Sequence, residues 1–225
     1  NKTIRQLQID RDTMTSVNVL GLFGNNAGSR VMQICLSHGY GMDRQERCQN
    51  SLRAVEGLLN CPEIELYMEV PLDAISTLND LLGGVTVTLE DDFTAADPAM
   101  TKGATLTLTG EQAVTLVRRR MDVADGTNET RMTRQREFMD AAVPLIREKI
   151  NESSGFITTM IDTLTPYVTT NMARGRMINE INRAYHYEVE PVQYLSGEHS
   201  IGEDGFVEFH ADEQSIVDFV LDAFY

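Results

Sequence analysis

The chain has 225 residues, enough to bury the core of one large α/β domain. Hydrophobic residues make up 42% and charged residues 24%, the balance of an ordinary globular protein. The formal net charge of −15 argues against nucleic-acid binding and makes any local basic cluster informative.

No run of 18 apolar residues or signal-peptide pattern is present. The opening Asn1-Lys2-Thr3 reads like the interior of a domain, so the lack of an anchor segment here says nothing of what lies upstream. The three cysteines, Cys35, Cys48 and Cys61, form no CxxC pair, which argues against zinc. They read either as three thiols or as a Cys35–Cys48 disulfide plus one thiol.

In chain order, residues 3–9 read as a strand and Asp10-Arg11-Asp12-Thr13 as a loop. Residues 31–36 read as a second strand leading into Ser37-His38-Gly39-Tyr40-Gly41. Residues 45–60 carry Cys48, Leu52, Val55 and Leu59 at helical spacing. Residues 64–70 alternate like a strand. A short helix after Pro71 ends at Gly83-Gly84, and Val85 to Leu89 is a strand. Residues 91–104 are polar loop.

Thr109 opens a helix to about Arg119, with Gln112 placed to complete a capping box. A long helix starts near Asn128, and Pro144 is expected to kink or split it. Helices near 156–166 and 171–185, strands near 189–195 and 205–210, and a closing helix from Asp212 complete the chain. This alternation predicts a three-layer α/β/α sandwich around a central mixed sheet.

The chemistry concentrates between residues 118 and 136. Six arginines (118, 119, 120, 131, 134 and 136) face three acids, Asp122, Asp125 and Glu129, so this window carries +3 in a chain of −15. Arg131, Arg134 and Gln135 share one face of the long helix by their i, i+3, i+4 spacing. Guanidinium groups grip phosphate oxygens in pairs, and a helix N-terminus adds partial positive charge. The competing reading is a solvated face of ion pairs. Arg11, leaving the first strand, is a second basic candidate for a crevice site. His38 alone reads as structural. No Walker loop, GxGxxG or hydrolase triad is present.

Several segments in order resemble the LytR-CpsA-Psr family. Gln8-Ile9-Asp10-Arg11-Asp12-Thr13 resembles its S-I-P-R-D-T segment. Gln33 to Gly41 resembles K-I-N-x-A-Y-x-x-G, with Cys35 at the Asn and His38 at the Tyr. Leu82-Gly83-Gly84-Val85 resembles L-G-G-V, and Leu108 to Ala113 resembles L-D-G-x-Q-A. Arg118 to Arg120 matches R-x-R, and Arg131 to Gln135 matches R-x-x-R-Q. These motifs span about residues 3–150 of one extracellular domain, with 151–225 as a C-terminal extension.

The resemblance implies a phosphotransferase at the extracellular face of the bacterial cell membrane. It would use Mg²⁺ to move a teichoic acid or capsular glycopolymer from a polyprenyl diphosphate carrier to a peptidoglycan acceptor. Arg11, Asp12, Arg118, Arg120, Arg131 and Gln135 would bind or position the diphosphate; Arg118, Arg120, Arg131 and Asp125 would be catalytic. By the same resemblance one or more strands, a membrane anchor and the family's metal-binding aspartates would lie upstream of Asn1, leaving no metal ligand in the chain. Asn128 stands where the family's D-x-x-R has Asp and cannot act as a base; Asp125 or Glu129 is the substitute. A non-catalytic polyprenyl-phosphate-binding module and a structural envelope protein are the competing functions. The lipid tail would need an apolar tunnel lined from helices 45–60 and 72–82, for which a plain packed core is the simpler alternative.

Overall fold

The computed structural model describes residues 2–61, 63–120, 123–124 and 126–224. In chain order the elements are β1 (Thr3–Gln8), β2 (Met14–Leu20), β3 (Asn26–Gln33), a 3-10 turn (Ile34–Gly39), α1 (Arg44–Leu59), β4 (Met68–Glu69) and α2 (Asp73–Leu82). Then follow β5 (Thr86–Thr88), β6 (Thr105–Thr107), α3 (Gly110–Arg118), α4 (Asn128–Glu152), α5 (Phe156–Leu164), β7 (Thr169–Thr170), α6 (Arg174–Ala184), β8 (Glu188–Tyr194), β9 (Gly197–Ile201), β10 (Val207–Ala211) and α7 (Glu213–Phe224). The α/β class expected from the alternation is present, and pairing is mixed. β1 runs parallel to β8, while β2–β3, β4–β7, β5–β6 and β9–β10 are antiparallel. The strands join as five two-stranded ladders, and a parallel bridge from Thr13 to Phe209 ties the start of β2 to β10.

The contacts divide the chain into two compact units. The first comprises residues 1–69, 169–173 and 186–225. Its small core gathers Val17 of β2, Ile34 of the 3-10 turn and Ala54 of α1, flanked by Ile9, Met32, Tyr40, Val55 and Leu58. Asp43 caps α1 by accepting the Glu46 N–H at 2.8 Å, and Asn60 ends it in the left-handed region at φ 45°. The buried Asn50 of α1 donates to the carbonyls of Asn18 (3.0 Å) and Ser37 (2.8 Å), pinning the helix to β2 and the 3-10 turn. All three cysteines are free thiols, so the Cys35–Cys48 bridge does not form.

Expectation and structure part over residues 31–36. β3 ends at Gln33, and the apolar Ile34, Cys35 and Leu36 enter the 3-10 turn. Of residues 64–70 only Met68 and Glu69 find a ladder partner, in Thr169–Thr170.

The second unit comprises residues 70–168 and 174–185. Its larger core includes Leu78 and Leu82 of α2, Val87 of β5, Leu89, Phe93, Met100, Leu116 and Val117 of α3, and Phe138 and Ala142 of α4. Leu78 and Leu82, candidates for a tunnel lining, are thus core residues. Gly83 closes α2 at φ 83°, and a Cβ on Gly84 would meet the Thr107 side chain at 2.6 Å, so the Gly-Gly pair both stops the helix and admits β6. Asn79, fully buried, fixes this corner by donating to the Leu108 carbonyl at 2.8 Å and accepting the Val85 N–H at 2.9 Å.

α3 starts with the capping box expected from the sequence. Gln112 N–H donates to the Thr109 hydroxyl at 3.3 Å, and Thr109 N–H donates to the Gln112 side chain at 3.0 Å. α4 runs from Asn128 to Glu152 without a break, so Pro144 does not split it. An exposed proline removes one hydrogen bond, while Phe138, Ala142 and Ile150 keep burial on both sides of it.

Candidate functional site

α3 ends at Arg118, where its last carbonyls have no partner inside the helix. α4 supplies them. Gln135 donates its amide N–H to the Val117 carbonyl at 3.0 Å, and Arg134 donates from Nη2 to the Arg119 carbonyl. Arg134 is only 3% exposed; its Nη1 meets Asp91 Oδ2 at 3.0 Å, and its guanidinium lies 5.4 Å from the centre of the Phe93 ring. Two side chains of the predicted cationic face therefore clamp α4 onto the end of α3.

This clamp sets the remaining arginines of the second unit. Arg118, the last residue of α3, is exposed, and its only described ion pair is with Asp73 at 3.9 Å. With the side chains 67% and 82% exposed, such a pair holds about 0–1 kcal/mol and leaves the charge available to a ligand. Arg120 is exposed just beyond the Arg119 carbonyl that the clamp holds. Arg131 is half-buried one turn before Gln135 and donates from Nη2 to Asn128 Oδ1 at 2.7 Å. Asn128, the first residue of α4, thus orients Arg131 without neutralising it, and Thr127 caps the helix through the Thr130 N–H at 3.2 Å. Asp125 lies outside the described residues.

Arg11 and Asp12 belong to the first unit. Their loop is tied by the Asp12 N–H to Asp10 Oδ1 at 2.9 Å and by the buried Thr13 hydroxyl to the Asp10 carbonyl at 2.6 Å. Asp12 Oδ1 stands 3.3 Å from Arg11 Nε, and Arg11 Nη2 donates to Cys35 Sγ at 3.3 Å. Cys35, the departure from the family loop, is therefore a positioning contact for Arg11. His38 sits elsewhere in this unit, 3.4 Å from Glu69, which also lies 3.8 Å from Arg44 and 3.6 Å from Cys48 Sγ. Burial, helped by the negative charge of Glu69, pushes the Cys48 thiol up to about 11, so it stays protonated at neutral pH. Burial raises Glu69, but the Thr169 hydrogen bond and the charges of His38 and Arg44 outweigh it and hold the carboxyl below its usual value.

Sequence reasoning missed one buried pairing, one histidine and one cavity. Arg134 and Asp91 form a buried pair 43 residues apart, invisible to local spacing. His199 of β9 approaches Asp10 at 3.4 Å across the length of the chain. A cavity of about 800 Å³ in the first unit is lined by Ser196, Glu198, His210, Asp212, Glu213 and Gln214 among others; its three carboxylates disfavour a phosphate ligand.

Among the described residues no group of three or more His, Cys, Asp or Glu side chains could hold a metal ion.

A model of the LytR_cpsA_psr family matches residues 1–220, well past residue 150 where the recognisable motifs end. The polyisoprenyl-teichoic acid–peptidoglycan teichoic acid transferase TagU of Bacillus mycoides is 28% identical over 182 residues, covering 80% of this chain and 53% of the relative. The chain thus spans about half the length of the curated relatives it matches. A Streptococcus agalactiae protein superposes with a TM-score of 0.76 at 20% identity over 95% of this chain and 71% of its own. A structure of TagT bound to LI-WTA gives 0.72 at 21% identity, over 98% and 78% respectively. With a family match over nearly its whole length, the chain belongs to the LytR-CpsA-Psr family.

Proposed function

We propose that this chain is the catalytic domain of a phosphotransferase that moves a teichoic acid or capsular glycopolymer from a polyprenyl diphosphate carrier onto peptidoglycan, at the outer face of the cell membrane. Curated relatives named as teichoic acid transferases support the reaction class. The observation that carries the reading is the clamp of Gln135 and Arg134 on the end of α3, because it holds Arg118, Arg120 and Arg131 around one helix junction.

In this reading the three guanidinium groups neutralise the diphosphate. An acceptor sugar hydroxyl attacks the phosphorus that bears the glycan. The new P–O bond forms as the bridging P–O bond breaks, and polyprenyl phosphate leaves with the extra negative charge. Little covalent work falls to the protein; positioned cations that meet the developing charge supply most of the acceleration. Asp125 is the proposed acceptor of the hydroxyl proton. Mg²⁺ would add charge neutralisation at the diphosphate when bound.

Asn128 favours a second reading, a binding module without turnover, because an amide at the first residue of α4 orients Arg131 but takes no proton. The two separate in one experiment. The chain is incubated with a polyprenyl-diphosphate-linked glycan, Mg²⁺ and peptidoglycan, and released polyprenyl phosphate is measured. Release that falls about 10²-fold in Arg131→Ala supports transfer. Binding of the lipid without release for any acceptor supports the module.

A further inference from the structure

The turn joining β2 to β3 has an unusual composition. Leu22 and Phe23 are 93% and 88% exposed at its corner. Such corners ordinarily take Gly, Pro, Asn, Asp or Ser. The turn is also ordered by its own backbone: Gly24 N–H donates to the Gly21 carbonyl at 3.0 Å, and Gly21 N–H to the Asn25 carbonyl at 2.8 Å. Leu22 and Phe23 are therefore the two central residues of a closed turn at the end of a hairpin, held outward. Met42, 69% exposed, lies beside them: a Cβ added at Gly24 would stand 2.6 Å from its Sδ. Gly24 itself has φ 76°, so both its conformation and this close approach suit glycine.

The surrounding charge is as unusual as the turn. From Thr13 to Met42 the chain has no Asp or Glu, and its charged side chains are Arg30 and the titratable His38, in a protein of net charge −15. Arg30 and its neighbour Val31 are exposed on β3, whose outer residues Asn26 to Ser29 are uncharged and exposed. Met42 borders acids, its N–H donating to Glu46 Oε2 at 2.7 Å with Asp43 next in the chain, so the acid-free surface is that of the β2–β3 hairpin itself. Charges further than about 8 Å from it are largely screened at physiological salt.

We propose that the β2–β3 hairpin tip is a membrane-seating element: Leu22 and Phe23 enter the headgroup–acyl boundary of a lipid bilayer, and Arg30, the charged side chain of an acid-free hairpin, faces its anionic headgroups. A rigid apolar tip inside an acid-free segment fits a lipid surface. A water-facing loop would gain nothing from two large apolar side chains held at full exposure. Two inserted side chains give weak, reversible binding. The inference goes beyond the transfer reaction and holds whether or not the chain turns over a polyprenyl substrate.

The chain contains no tryptophan, so Phe23→Trp gives a single reporter at the tip. Its fluorescence is measured with vesicles of phosphatidylcholine and of phosphatidylcholine–phosphatidylglycerol, without any polyprenyl lipid, and with brominated acyl chains as a depth probe. The expected result is a blue-shifted emission, quenched by the brominated chains, with tighter binding to the anionic vesicles. Leu22→Ser in the same background weakens partitioning by about tenfold. A separate Leu221→Trp variant, with its reporter on the exposed face of α7, shows no change. Emission from the Phe23→Trp variant that is indifferent to every vesicle overturns the proposal. So does an equal shift from the Leu221→Trp variant, which marks non-specific adhesion, or a shift that follows protein concentration without lipid, which makes a second copy the occupant.

Discussion

Arg134 looks in the sequence like one more member of a cationic row, and its position in the fold gives it the opposite duty. Three residues after Arg131 and one before Gln135, it is buried and spends its charge on Asp91 and the Arg119 carbonyl. Removing it would strand a mostly buried carboxylate and an unsatisfied carbonyl. Arg134→Ala is therefore expected to lose about 3–5 kcal/mol of stability in chemical denaturation. A diphosphate ligand that Arg134 does not touch cannot fully restore that loss. A second residue-scale test sits one turn on. Burial raises Glu137, with the charges of Glu90 and Asp91 acting in the same direction and Arg134 opposing them. A carboxyl whose folded pKa exceeds its unfolded value contributes stability at low pH and loses it as pH rises through the folded value. Glu137→Gln should therefore raise the melting temperature at pH 7 and leave it nearly unchanged at pH 4, as thermal melts at the two pH values would show.

At the scale of elements, legibility followed whether the forming signal was local. α3 was readable to within a residue because Thr109 and Gln112 carry their own start signal, and the box is present. Thr109→Ala should cost about 1 kcal/mol and lower the melting temperature by about 2–4 °C in a calorimetric scan. β2 carried no clear alternation, because its two buried residues are Thr15 and Val17, one polar and one apolar. Only the end of β3, residues 31–33, was read, because its first six residues are exposed and its start carries no apolar signal. Residues 64–70 alternate in burial nearly as a strand should, yet a ladder forms only where Thr169 and Thr170 arrive from far along the chain. The parallel pair of β1 with β8 depends on residues more than 180 positions apart, beyond any spacing rule.

For the whole molecule, the signal for function lay in contrast: a window of positive charge in a protein of −15, with ordered motifs spread along the chain. Arg118, Arg120 and Arg131 were readable as charges and as motif members. That Arg134 and Gln135 are structural clamps was not, because it depends on which carbonyls α3 presents after folding. A site of clustered arginines in an acidic protein should also weaken steeply with salt, since its own field is the main attraction and the surrounding acids oppose it. Binding of a short-chain prenyl diphosphate should therefore weaken several-fold between about 50 and about 300 mM NaCl.

The most direct test of the account is the affinity of that prenyl diphosphate, measured by isothermal titration calorimetry, for the chain and for Arg118→Ala, Arg120→Ala and Arg131→Ala. Each loss of a guanidinium that grips phosphate should weaken binding by about tenfold or more while leaving the melting temperature close to that of the parent. Affinities unchanged in all three variants would mean that these arginines do not hold a diphosphate, and the site described at the α3–α4 junction would be a structural corner.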